Sequence, residues 1–117
     1  MYAVHPIGTV NCLSYLFTFP NGAKLLFWLG NLSREQFPLC AALNPDIAII
    51  QMATTPRGME QRADFAAELG AQVVMLHHQQ VRKRYYPEGA EQFGEVLRER
   101  APHITYINPR HGEWMNL

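Results

Sequence analysis

The chain has 117 residues, with 10 basic balanced against 10 acidic, 48% hydrophobic and 17% charged content, a composition that excludes disordered and fibrous classes. A formal net charge of zero removes the electrostatic footprint expected of a nucleic-acid or anionic-membrane binder. The length predicts a single domain over 1–117 that buries roughly 65% of its unfolded surface, enough for one core.

In chain order, Met1-Tyr2-Ala3-Val4-His5-Pro6 has no basic segment leading into an apolar one, so no signal peptide is read there. Val10 to Phe19 is rich in β-branched and aromatic residues and predicts a strand. Asn21-Gly22 then supplies a hairpin turn, and Lys24 to Leu29 is the returning strand. Ser33 and Gln36 stand at capping-box spacing, but Pro38 follows at once and predicts only a short or irregular helix over Gln36 to Leu43. Asp46 to Ala53 reads as an interior strand.

Thr55-Pro56 predicts a helix start. Met59, Ala63, Ala66 and Ala67 form its apolar face, with Arg62 among the residues assigned to the polar remainder, and Gly70 ends it. Gln72 to His77 is another buried-type strand, followed by a polar loop through Pro87. A second amphipathic helix runs from about Glu88 to Arg100, interrupted by Gly94, and His103 to Ile107 is a last short strand. Strands alternating with helices predict an α/β fold with crossover connections. The apolar runs are strand-length, so no membrane span is indicated. Cys12 and Cys40 lack a CxxC spacing and are expected as packed thiols in a reducing compartment, with cytoplasm as the default location.

Ligands in open α/β sheets collect beyond the carboxyl ends of strands, where this chain places Gly30-Asn31, Thr54-Thr55 and His77-His78. A histidine there can be a metal ligand, a general base or a pH-sensitive group. The plainer reading is one exposed histidine and one bonded to a backbone carbonyl. Neighbours along a strand point to opposite faces, so the pair needs a bend to converge. Arg82, Lys83, Arg84, Tyr85 and Tyr86 form a basic-aromatic run in which Arg82 and Arg84 could bind an anionic substrate or phosphate; the alternative is a solvated loop.

The succession NCLSYLFTFPNGAKLLFWLGN, NPDIAIIQMA, QVVMLHH and PRHGEWMNL resembles the C-terminal half of a metallo-β-lactamase-fold hydrolase of the UlaG-like group, over roughly Gly8 to Trp114. The resemblance implies half of a four-layer αββα sandwich, a mixed sheet with an N-terminal β-hairpin and helices packed on it. It places His77 at a metal-ligand position and Asn31 where the family carries a metal-bridging aspartate. The amide has no negative charge and binds a hard cation more weakly. Glu113 and Trp114 match the family's closing turn. The His-x-His-x-Asp-His loop of the N-terminal half does not occur here.

A zinc-dependent hydrolase needs three protein ligands and an open position. The resemblance therefore implies a hydrolase-like chain with an incomplete metal site, completed by a second chain if at all. The alternative is a non-catalytic binding or assembly module that dimerises through an apolar sheet face. Both imply a homodimer or a complementary chain. A stand-alone three-layer domain, with helices on both sheet faces, is the third arrangement.

Overall fold

A computed structural model describes residues 3–9, 12–29, 34–82, 84–109, 112 and 114; in β1, apart from Pro6, and at residues 12–13 and 80–81 it describes the backbone alone. Six strands form one mixed sheet in sequence order: β1 (Ala3–Thr9), β2 (Cys12–Thr18), β3 (Lys24–Phe27), β4 (Ile47–Gln51), β5 (Val73–His77) and β6 (Thr105–Ile107). The first three pair antiparallel, while β3 through β6 pair parallel. The hairpin around Asn21-Gly22 lies where the turn residues predict it, with Gly22 at φ +87° and Asn21 Oδ1 accepting from Ala23 N at 3.0 Å. It is not N-terminal, however, because β1 precedes it; Pro6 and Gly8 hide that strand from a propensity reading.

The predicted helix across Pro38 resolves into a 3-10 turn (Arg34–Gln36) and the five-residue α1 (Phe37–Ala41), with Pro38 in the first turn where no donor is lost. Ser33 lies outside the described residues. Helix α2 (Pro56–Leu69) starts as expected: Thr55 Oγ1 accepts from Gly58 N at 3.1 Å, and Gly70 closes it at φ +70°. The predicted polar loop contains one turn of helix, α3 (Gln79–Arg82), and α4 spans Gly89–Arg100.

Each parallel step moves one strand further in the same direction. A right-handed crossover at each step lays its helix on the same face, and α2 packs against both α1 and α4 in a single layer. Burial follows this geometry. Leu26, Ala48, Ile50 and Val74 are fully buried beneath the helices with Phe37, Phe65, Phe93 and Leu97. Their alternates point to the opposite face. The strand register aligns them as two rows, Tyr15-Phe27-Ile49-Met75-Ile107 and Phe17-Leu25-Ile47-Val73-Thr105. Met75 at the centre is buried, Thr105 is exposed, and the others are half-buried, unlike the fully buried row beneath the helices. The helices therefore cover one face, which corrects the three-layer alternative.

Asp46 ties the amino ends of the parallel strands together. Its carboxylate accepts from Lys24 N at 2.8 Å, its own N–H donates to Lys24 O, and its carbonyl accepts from Gln72 N and Val73 N.

Candidate functional site

Three parallel strands end side by side, at Phe27, Gln51 and His77, and the chain just beyond them holds Trp28 and His78. His77 lies on the open face, its ring 5.2 Å from that of Phe27. His77 Nε2 is 2.7 Å from the carbonyl oxygen of Trp28. A carbonyl can only accept, so Nε2 carries the hydrogen and Nδ1 of the neutral ring holds the lone pair. His78 adopts φ +63°, uncommon for a non-glycine residue. This is the bend that neighbouring strand residues need in order to converge: the two Nδ1 atoms stand 2.7 Å apart, with His78 donating to His77. His78 itself is exposed. The plainer reading of the pair, one exposed ring and one carbonyl-bonded ring, describes this geometry.

The surroundings are positive. Burial holds the His77 pKa below its usual value, the bond to Trp28 opposes that shift, and the charges of His78, Arg82 and Arg62 reinforce it. Arg62 is the residue that the helical pattern assigned wrongly. It is only 7% exposed, and its Nε donates to the Gln51 carbonyl at 2.9 Å. The signal was available: position 62 lies three residues after Met59 and four before Ala66, on the buried side of α2. Burial lowers its pKa, and so does Arg82.

The basic-aromatic run divides. Arg82 is half-buried beside the pair, Arg84 and Tyr85 are exposed, Tyr86 is buried, and Lys83 lies outside the described residues. Arg82 acts electrostatically on His77 and Arg62, and Arg84 stands two residues further on, in the exposed turn.

Asn31, Glu113 and His111 lie outside the described residues, as does the side chain of His5; His103 is exposed. Among the described residues, no three His, Cys, Asp or Glu side chains group so as to hold a metal ion. His77 and His78 supply two imidazoles whose Nδ1 atoms already engage each other. These residues alone do not fit a zinc centre. Cys40 is free and buried, and burial pushes its thiol up to about 11, as befits packing rather than nucleophilic use; the side chain of Cys12 is not among those described. No described helix is long and apolar enough to cross a membrane.

Neither a protein-family model nor a curated protein matches this chain. Its class therefore rests on the fold, an α/β arrangement with one mixed sheet.

Proposed function

We propose that the chain is an assembly module, one α/β layer of a four-layer sandwich, whose open sheet face is covered by a second copy of itself. The observation carrying this reading is the pair of residue rows on that face, apolar except for the tyrosine hydroxyl and Thr105 and without a charged side chain. A neutral face meets its own copy without like-charge repulsion, which makes self-pairing the natural occupant. Six strands at about 4.8 Å spacing and roughly five residues of about 3.3 Å each present a flat footprint of about 500 Å² per copy. Two such faces total about 1,000 Å², the lower bound for a specific interface. Sheets so paired stack about 10 Å apart with their strands within about 30° of alignment.

Ile49→Lys places a charge at the centre of the open face without touching the helix side. Light scattering on the purified chain should give a dimer, and the variant should be a folded monomer by circular dichroism. A dimer of unchanged strength in the variant would reject the open face as the interface.

A second reading, a metal-dependent hydrolase-like half whose ligand set the paired chain completes, is favoured by one feature of His77. Its Nε2–H is held by a backbone carbonyl, the outer-shell arrangement that orients metal-binding histidines. Zinc content of the purified chain, beside His77→Ala, tests it. Near-stoichiometric zinc lost on substitution supports the reading, and no metal in either protein sinks it. Asn31 enters this reading only as an amide where a bridging carboxylate would serve better.

A further inference from the structure

We propose that Arg62 and Arg82, beside the His77-His78 pair, form a binding site for a phosphate-type oxyanion at the carboxyl edge of the sheet. The first observation is a charge left unbalanced. Buried arginines are normally paired, because an uncompensated charge in the interior is costly. The ion pairs among the described residues join Asp64 to two exposed arginines, Arg34 at 3.3 Å and Arg100. Arg62 is more deeply buried than either of those arginines, yet among the described residues no carboxylate lies within ion-pair distance of it. The charge that acts on it has the same sign, that of Arg82.

The second observation is preorganisation. The bond from Nε to the Gln51 carbonyl fixes the plane of the Arg62 guanidinium and leaves its two terminal amino groups as a fork. That geometry suits two oxygens of one anion. Gln51 is the register partner of His77, so the fork is anchored at the strand ends where His77 sits. The Arg82 amide donates to the His78 carbonyl at 3.1 Å, holding α3 against the same edge, and the Arg82 charge acts on both Arg62 and His77. The third observation is an orphaned donor in the same neighbourhood. Trp28 Nε1 is buried without a hydrogen-bond partner, although the Trp28 carbonyl serves His77 and its indole packs on Phe65, three residues along α2 from Arg62. Two permanent positive charges call for a dianion more than for a carboxylate. A bound phosphate would give Arg62 the counter-charge that the chain does not provide.

The proposal does not depend on the open face being covered, since both arginines belong to one chain. Isothermal titration of the purified protein with inorganic phosphate at constant ionic strength tests it, with acetate as the monoanionic comparison. The expected result is saturable phosphate binding stronger than acetate binding. It should weaken about tenfold in Arg82→Gln, the scale of one charge-assisted hydrogen bond. Arg62→Lys, which keeps the charge and loses the fork, should weaken it comparably while remaining folded by circular dichroism. Three results would overturn the proposal: no saturable phosphate binding, acetate bound as tightly as phosphate, or phosphate affinity unchanged in both variants.

Discussion

A single proton decides the state of His77. Burial, the neighbouring His78 and the Arg82 and Arg62 guanidiniums all disfavour the imidazolium and only the Trp28 carbonyl favours it, so the ring takes up its proton less readily than a free imidazole. The unfolded chain binds this proton near pH 6.5 and the folded chain only at lower pH. Between those two values the unfolded state holds more protons, so stability falls as pH falls through this window and is fully present above it. Denaturant unfolding at pH 8 and pH 5.5 should show a loss of stability on acidification that is smaller in His77→Gln. An equal loss in both proteins would remove His77 as its source. The strand-end position of His77 was legible in the sequence, as the terminus of an apolar run. Its partnership with His78 was not. That depends on a left-handed backbone angle at residue 78, which no side-chain pattern announces for a histidine. Arg62 was obscured for a different reason: its charge suggested solvent, whereas its helical phase placed it beneath α2.

Among the elements, α4 and its contact with β6 account for a residue that otherwise weakens a helix. A glycine within a helix costs about 1 kcal/mol relative to alanine. At Gly94, however, an added Cβ would stand 2.8 Å from Tyr106 Cδ2 and 3.0 Å from Cε2. The Tyr106 ring cannot swing aside freely, because its hydroxyl donates to the Ala90 carbonyl at 2.9 Å and it packs T-shaped with Phe93, centroids 5.1 Å apart. Gly94→Ala should therefore destabilise the protein, by about 1–3 kcal/mol as overpacked positions do, where propensity alone forecasts a gain. Thermal or denaturant unfolding reads the sign directly. At the other end of the helix layer, Thr55→Ala removes the oxygen that accepts from Gly58 N and should cost about 1 kcal/mol in the same assay. The start and stop of α2 were readable from Thr55, Pro56 and Gly70, whose backbone roles are local. The strand β1 was not, since its pairing with β2 is a tertiary event. Likewise, α3 is a single turn too short to carry a periodicity.

For the whole molecule, the radius of gyration is 13.6 Å, close to the value of about 13.4 Å that chain length predicts for a compact domain. The alternation of strands and helices was enough to read the α/β class. Which faces the helices cover was not in the pattern of any one segment. Strands such as Lys24–Phe27 and Ile47–Gln51 are apolar at successive positions and read as covered on both sides. Only the sequential strand order, taken with the right-handed crossover rule, leaves one side without a described helix. Sedimentation equilibrium over a concentration series tests whether a second copy covers that side. The predicted result is a species of twice the 13.4 kDa chain mass, dissociating on dilution to a folded monomer. A single species of 13.4 kDa persisting to millimolar concentration would contradict the claim that a second copy covers the open face.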